Sequence, residues 1–152
     1  MNESTEIVVS DLPYIVRRVV RWSDCDPAGV AYLGRYTDYL LGATAHFLRN
    51  LGHGAGTVAW NSQKVQFPGK HMSLTFHVSL YPEDVVDIHI RVGAIRTRTF
   101  DLLAHAYLPD GRLAFEGVLT PICIRKAVRE STPLPDDVRA ALRPHLLVQE
   151  AA

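Results

Sequence analysis

Residues 24–32 read Asp-Cys-Asp-Pro-Ala-Gly-Val-Ala-Tyr, and they separate a predicted strand from a predicted helix. Before them, Ile15–Trp22 is rich in Val and Arg and lacks helix caps, which is typical of a β-strand. After them, apolar residues recur every three or four positions over Tyr36–Leu51, and Gly52 follows as a C-cap. This pattern predicts one amphipathic helix of about four to five turns, beginning near Arg35. Because Asp, Pro and Gly break strands, residues 24–32 are predicted to form the connecting loop.

The second half of the chain shows the period of strands. Polar and apolar residues alternate there, as in strands with one buried face. The four predicted strands are Met72–Leu80, Val86–Val92, Thr99–Leu108 and Leu113–Ile124. Pro109–Gly111 has the composition of a hairpin turn, which indicates a meander. A short helix is predicted over Pro135–Leu142, and Gly52–Lys70 is predicted to be a loop region.

The dimensions of these elements constrain the architecture. A helix of about 17 residues is ~26 Å long and a strand of about nine residues is ~30 Å long, so the helix can run the length of the sheet. Five strands ~4.8 Å apart make a sheet ~24 Å wide, whereas a helix covers only ~10 Å of it. The sheet must therefore curl round the helix, or another subunit must cover its remaining apolar surface. We expect an α+β fold in which a curved antiparallel sheet of about five strands wraps one long central helix, with self-association through sheet edges or faces.

The composition is that of an ordinary globular domain. The chain has 152 residues, 47% of them hydrophobic, and its 16 Lys and Arg balance 16 Asp and Glu. This length suits one core, so we expect a single domain over residues 1–152. Zero net charge argues against nonspecific binding to nucleic acid or anionic lipid, although it describes the global charge only. With two cysteines, no signal peptide and no apolar run of ~18 residues, the cytoplasm is the expected compartment.

The two acids of the loop allow a structural and a chemical interpretation. Asp24 and Asp26 precede a helix, whose positive dipole end favours carboxylates. Acids before a helix are usually N-caps or turn formers. The helical pattern begins about nine residues after Asp26, which is too far for Asp26 to be the N-cap. The loop therefore either serves a purpose other than capping the helix or serves none.

The loop and its flanks resemble a known family. Residues 21–32, followed by Tyr36 in the opening helical turn, are similar to the signature of the 4-hydroxybenzoyl-CoA thioesterase family of hot dog fold proteins. The resemblance covers roughly residues 14–126, and it leaves a C-terminal extension with a short helix at about 133–148. It implies a hot dog fold and hydrolysis of an acyl-CoA thioester, with an aromatic or short acyl group. Family members more often have a Pro-Asn or a His-containing pair where this chain has Gly34–Arg35.

The same resemblance assigns roles within the loop and the start of the helix. Asp26 corresponds to the catalytic carboxylate, which either attacks the thioester carbonyl or activates water as a general base. The backbone N–H of Leu33 corresponds to the donor that stabilises the developing oxyanion, so its side chain need not match the family. Tyr32 and Tyr36 are expected to bind the acyl part of the substrate.

Coenzyme A carries phosphates, and positively charged side chains are expected to bind them. Arg96 and Arg98 lie where the family has a basic stretch before its Ser/Thr-Phe pair, and guanidinium groups bind phosphates through paired hydrogen bonds. Alternate residues of a strand share a face, so the two would point the same way if the segment is extended. The alternative is a solvated strand end. Arg125 and Lys126 are weaker candidates of the same kind.

Other reactive side chains are expected to play no part in catalysis. The seven histidines show no metal-ligand spacing, so we predict no metal and no cofactor beyond the coenzyme A of the substrate. Cys25 has no evident base near it in sequence and corresponds to a packing residue in the family. Asp24 is expected to orient the loop or to pair with an arginine.

Two other functions are compatible with this interpretation. A non-catalytic acyl-CoA binding protein would keep nearly the same pocket. A hydratase or dehydratase of acyl thioesters would keep the fold, but the Asp-His or His-Glu arrangements of those enzymes are not seen in this sequence. In each case we expect a homo-oligomer, a dimer or a homotetramer, in which a second copy completes the site.

Overall fold

The predicted central helix forms, and six strands pair beside it. The computed structural model describes residues 5–52 and 65–147. Helix α1 spans Leu33–Gly52, 20 residues, and so begins slightly before the predicted Arg35. The strands of the main sheet are β1 (Glu6–Asp11), β2 (Tyr14–Val19), β4 (Gly69–Phe76), β5 (Val85–Ile95), β6 (Phe100–Tyr107) and β7 (Leu113–Pro121). Their spatial order is β1-β2-β5-β6-β7-β4, with every neighbouring pair antiparallel.

The sheet has one strand more than the predicted five. The additional strand is β1, which pairs with β2 through Val8 and Val16. Its apolar residues are consecutive, and Ile7, Val8 and Val9 are each at least 40% exposed, so β1 lacks the alternation by which a strand is predicted. The predicted first strand, Ile15–Trp22, corresponds to β2. It ends earlier, because Trp22–Asp24 turns into a short 3₁₀ helix.

Helix α1 packs against one face of the sheet and forms the core with it. On β5, residues 86, 88, 90 and 92 are buried while the residues between them are not, as expected for a strand with one face against a helix. The helix contributes Tyr39, Leu40, Ala43 and Phe47, all fully buried. Each large apolar side chain removed from water stabilises the fold by roughly 1.5–3 kcal/mol.

Strand β4 departs from the predicted pattern. It ends at Phe76, so the second half of the predicted strand Met72–Leu80 lies beyond it. It is also an edge strand, bonded only to β7. Met72 and Phe76 are 42% and 43% exposed in the single chain, where the alternation predicted a buried face.

Two short strands make a second sheet. Strand β3 (Val65–Gln66) pairs with β8 (Ile124–Arg125), so the predicted strand Leu113–Ile124 is divided between two sheets. Most of the predicted loop Gly52–Lys70 lies outside the described residues, and its described end forms β3 and the start of β4.

The C-terminal helix forms as predicted. Helix α2 (Asp136–Leu142) follows Pro135 and packs through Val138 and Leu142, both fully buried. A short 3₁₀ helix, Arg143–His145, follows it. Within residues 5–52 and 65–147, neither helix has the combination of length and apolar character that a membrane crossing requires.

Candidate active site

The loop at residues 24–32 is a small closed structure. The N–H of Asp26 donates to the carbonyl of Val30 (3.0 Å), and the N–H of Tyr32 donates to the carbonyl of Asp24 (2.8 Å). At the tip, the N–H of Gly29 donates to the carbonyl of Asp26 (2.9 Å), and Gly29 has φ of 81°, a value that L side chains rarely adopt. The Asp, Pro and Gly that predict a loop therefore form a tight turn, which presents Asp26.

One oxygen of the Asp26 carboxylate is held and the other is not. Oδ1 accepts a hydrogen bond from the N–H of Ala28 (2.8 Å), which fixes the orientation of the carboxylate. Among the described residues no side-chain or backbone donor bonds to Oδ2. The half-buried carboxylate therefore keeps a free oxygen for a substrate or a water molecule.

Helix α1 begins directly after this loop. The N–H groups of its first turn, starting at Leu33, have no acceptor within the helix. They form the positive end of the helix dipole, equivalent to roughly half an elementary charge. No acidic residue lies in that first turn to neutralise it. An oxygen that gains negative charge would be stabilised at this point.

The loop and the helix start form one cleft of about 390 Å³. Its lining residues are Asp26, Val30, Ala31, Tyr32, Leu33, Tyr36, Phe76, His77, Val78 and Ser79. All four residues predicted from the loop and helix, Asp26, Tyr32, Leu33 and Tyr36, are thus in one place. Tyr32 and Leu33 are 57% and 61% exposed, so the cleft is accessible from solvent.

Tyr36 forms the aromatic wall of the cleft. Its ring contacts those of Phe76 and Phe115 edge-on, with centroids 4.8 Å and 5.2 Å away. Only 3% of Tyr36 is exposed, and burial raises the pKa of its hydroxyl. Tyr36 is therefore a fixed, neutral surface against which an apolar group can pack.

Sequence reasoning missed another part of the cleft lining, residues 76–79. This segment is joined to the loop by a hydrogen bond from the N–H of Ala31 to the carbonyl of Leu80 (2.7 Å). The alternation around Phe76 indicated that its side chain faces inward. No sequence signal indicated which end of the helix it would meet, because that depends on how the sheet is placed against α1.

Cys25 is poorly suited to nucleophilic chemistry. Burial, followed by the charges of Asp24, Asp26 and Asp84, raises the pKa of its thiol. Its Sγ lies 3.5 Å from the carbonyl of Arg21. A thiol with a raised pKa supplies little thiolate, so the expectation that Cys25 is a packing residue agrees with its surroundings.

The two predicted phosphate-binding arginines do not point the same way. The guanidinium of Arg96 donates twice to the carboxylate of Asp101 (2.9 and 2.8 Å). The guanidinium of Arg98 donates instead to the carbonyl and hydroxyl of Ser131 (2.9 and 2.7 Å). The segment bends between β5 and β6, so the condition of an extended strand is not met.

Neither arginine is among the residues that line the Asp26 cleft. Arg96 borders a separate cavity of about 600 Å³, which is lined by Lys70, His71, Ser73, Arg96, Thr99, Asp101, Val118 and Thr120. Of the weaker candidates, Arg125 lies on β8 and borders another cavity, and Lys126 is exposed beside it. The structure thus separates the basic residues into different surfaces.

Comparisons with known proteins agree with this geometry. A family model described as Thioesterase-like superfamily matches residues 20–142, which is most of the chain. A search of curated proteins finds no match by sequence. Among solved structures, the chain is similar to the gentisyl-coenzyme A thioesterase BH1999, with 26% identity and a TM-score of 0.71, covering 84% of this chain and 98% of that one.

Two further structures extend the likeness in fold. A thioesterase superfamily protein from Jannaschia sp. CCS1 has a TM-score of 0.79 at 24% identity, with 91% of this chain and 96% of that chain covered. The 1,4-dihydroxy-2-naphthoyl-CoA thioesterase Slr0204 from Synechocystis has a TM-score of 0.72 at 19% identity, with 85% and 94% covered. The shared architecture therefore extends over nearly the whole length of each of these proteins.

Proposed function

The chain belongs to the thioesterase-like superfamily, has the hot dog fold and is a thioester hydrolase, and from this premise we propose that its substrate is an acyl-CoA. The proposed acyl group is aromatic, as in 4-hydroxybenzoyl-CoA, or short. The observation that carries the proposal is that Asp26 shares a cleft with the start of a 20-residue helix. A carboxylate and an oxyanion donor are the two groups that thioester hydrolysis needs.

In the proposed reaction, the thioester carbonyl lies between Asp26 and the N–H of Leu33. Either the Asp26 carboxylate attacks the carbonyl carbon, or it removes a proton from a water molecule that attacks. The carbonyl oxygen becomes negatively charged and accepts a hydrogen bond from Leu33. The carbon–sulfur bond then breaks and coenzyme A leaves as the thiolate. In the first case water hydrolyses the resulting anhydride, and in both cases the products are the free acid and coenzyme A.

The size and lining of the cleft support a small acyl group. Its volume of about 390 Å³ lies at the lower end of the ~300–1,000 Å³ that is usual for ligand sites. Tyr32, Tyr36 and Phe76 offer aromatic surface, which suits the face or edge of a planar acyl group. The solved structure BH1999, which is 26% identical to this chain, is named for gentisyl-coenzyme A, an aromatic thioester. This favours the aromatic alternative.

Arg96 and Arg98 are proposed to bind the phosphates of coenzyme A. Arg98 is exposed and, among the described residues, forms no ion pair, so its charge is available. Arg96 is exposed as well, but Asp101 balances its charge. We therefore assign the larger part of phosphate binding to Arg98.

A homo-oligomer, either dimer or tetramer, is part of the proposal. The edge strand β4 leaves backbone groups unpaired and exposes Met72 and Phe76, and Phe76 also lines the Asp26 cleft. A second copy that covers this edge would close the cleft. Light scattering is expected to give two or four times the mass of the 16.9 kDa chain, and a monomer would contradict this part.

A panel of acyl-CoA thioesters tests the proposed substrate class. The purified chain is offered benzoyl-, 4-hydroxybenzoyl-, acetyl- and palmitoyl-CoA, and the released thiol is detected with a thiol-reactive dye. We expect kcat/KM for the best aromatic or short ester to exceed that for palmitoyl-CoA by at least tenfold, since a cleft of about 390 Å³ suits a small acyl group better than a C16 chain. Preference for palmitoyl-CoA, or no hydrolysis of any ester, would contradict the proposal.

A further inference from the structure

Asp24 is a buried carboxylate that the proposed reaction does not use. Only 5% of the residue is exposed, and it does not line the Asp26 cleft. Its Oδ2 accepts hydrogen bonds from the hydroxyl of Tyr39 (2.9 Å) and from the N–H of Arg21 (3.1 Å). Burying a carboxylate is costly unless it is paired and hydrogen-bonded, so the groups that contact Asp24 indicate what it does.

Arg18 balances the charge of Asp24. Its guanidinium lies 3.5 Å from Asp24 Oδ2 and 3.2 Å from Glu6 Oε2, and it stacks over the ring of Tyr39 at 4.8 Å. Burial opposes ionisation of Asp24, but the hydrogen bonds from Arg21 and Tyr39 and the charge of Arg18 outweigh it and lower the pKa. Asp24 is therefore a carboxylate at neutral pH.

Tyr39 is the other half of the contact. It is fully buried, and burial, followed by the hydrogen bond to Asp24, raises the pKa of its hydroxyl. The hydroxyl therefore stays protonated and donates to Asp24. Tyr39 belongs to helix α1, six positions after Leu33, which is about 9 Å along the helix axis at 1.5 Å per residue.

The loop continues directly into the helix at Tyr32, and Asp24 attaches it to the helix a second time through Tyr39; the guanidinium of Arg35, also on the helix, lies 3.9 Å from Asp24 Oδ1. Tyr32, next to the helix, donates its N–H to the carbonyl of Asp24, and Tyr39, further along the helix, donates its hydroxyl to the side chain of Asp24. A loop joined at one point can rotate about that point, whereas two separated attachments prevent the rotation. The residue two positions on, Asp26, is therefore held in a fixed place relative to the first N–H of the same helix.

We propose that Asp24 and Tyr39 are a positioning pair, which sets the Asp26 carboxylate against the Leu33 N–H for attack on the thioester. The inference rests on the proposed function, because it assigns a role relative to Asp26. Neither residue lines the cleft, so neither is expected to touch substrate. A displacement of about 1 Å in a catalytic group can cost on the order of a hundredfold in rate, so loosening the pair should lower kcat far more than it raises KM.

Tyr39→Phe tests the pair by removing one oxygen. Its matched control is Tyr14→Phe, since Tyr14 is also buried (1% exposed) but its hydroxyl has no partner among the described residues. Steady-state kinetics are measured with the best ester of the acyl-CoA panel, well below the thermal midpoint of each variant. We expect Tyr39→Phe to lower kcat about tenfold with KM within twofold, and Tyr14→Phe to leave both within twofold.

Asp24→Asn is the second variant, and it should lower kcat more than Tyr39→Phe does, because it also removes the charge that Arg18 pairs with. If Asp24→Asn does not fold, the kinetics of Tyr39→Phe alone test the positioning role. A Tyr39→Phe enzyme with unchanged kcat, or one in which only KM changes, would overturn the positioning role. Failure of the proposed function looks different: Asp26→Asn would then keep full activity, whatever the Tyr39 variant does.

Discussion

Two regions were expected to present functional side chains: the loop with Asp26, and the bend with Arg96 and Arg98. They differ in the hydrogen bonds that fix their conformation. The loop is closed by hydrogen bonds between its own residues, so its predicted residues meet in one cleft. At the bend, Arg96 binds Asp101 on the next strand, whereas Arg98 binds Ser131, 33 positions away. The two guanidinium groups therefore point to different partners, although only one residue separates them.

This difference shows which kind of motif predicts a site. A loop whose turn residues and hydrogen bonds are mostly local takes most of its geometry from its own sequence. Two charges on a hairpin bend take their directions from whichever partners the rest of the fold supplies. We therefore expect substitutions in the loop to act on the chemical step, and substitutions at the bend to act on binding of the coenzyme only.

Asp26→Asn is expected to have the largest effect of any substitution proposed for this comparison. The change keeps the size of the side chain and removes its charge, and with it both the nucleophile and the general base. We expect kcat for the best acyl-CoA ester to fall by on the order of a hundredfold or more, measured by thiol release.

Asp38→Asn is the matched control for that experiment. Asp38 lies on the same helix as the Leu33 donor, its side chain is 56% exposed, and it does not line the cleft. It should keep kcat within about twofold of the parent, because its exposed pair with Arg35 contributes little. Equal losses in both variants would mean that Asp26 acts through the general charge of the region and not through chemistry.

Substitution of the arginines should have a smaller effect, and on KM alone. Arg98→Ala is expected to raise KM for acyl-CoA esters about tenfold, the value of one charge-assisted hydrogen bond to phosphate. Arg96→Ala should raise it less, because Asp101 already occupies that guanidinium. Esters of N-acetylcysteamine, which lack the phosphates, should be hydrolysed equally well by parent and variants.

Arg112→Ala is the control for nonspecific charge effects. Arg112 is an exposed arginine that pairs with Asp110 on the β6–β7 turn, away from both candidate surfaces. Its removal should leave KM for both substrates unchanged. Equal increases in KM for the coenzyme A and N-acetylcysteamine esters of Arg98→Ala would refute the phosphate role.

Elements with a local signature were predicted well from sequence. Helix α1 follows from its apolar period, and only its first two residues were missed, because Leu33 and Gly34 do not continue that period. Helix α2 follows from Pro135 and the acids after it. The meander follows from alternation, since β5, β6 and β7 each have one face against the helix.

Features that depend on tertiary partners were not predictable. Strand β1 has no alternation, and it exists because β2 offers it an edge. Residues 76–79 come to line the Asp26 cleft where Phe76, at the end of β4, contacts Tyr36 in the first turn of α1. The partner of the Asp24 carboxylate, Tyr39, is 15 positions away, and no motif joins the two.

The most direct test of the central claim is the position of a bound thioester carbonyl. Asp26→Asn would be crystallised with a 4-hydroxybenzoyl-CoA analogue in which a methylene group replaces the sulfur, so that the bond to the carbonyl cannot be hydrolysed. The account predicts the carbonyl oxygen at about 2.7–3.1 Å from the backbone nitrogen of Leu33, with the acyl ring against Tyr32 and Tyr36. A carbonyl bound away from Leu33, for example in the cavity beside Lys70 and His71, would contradict it.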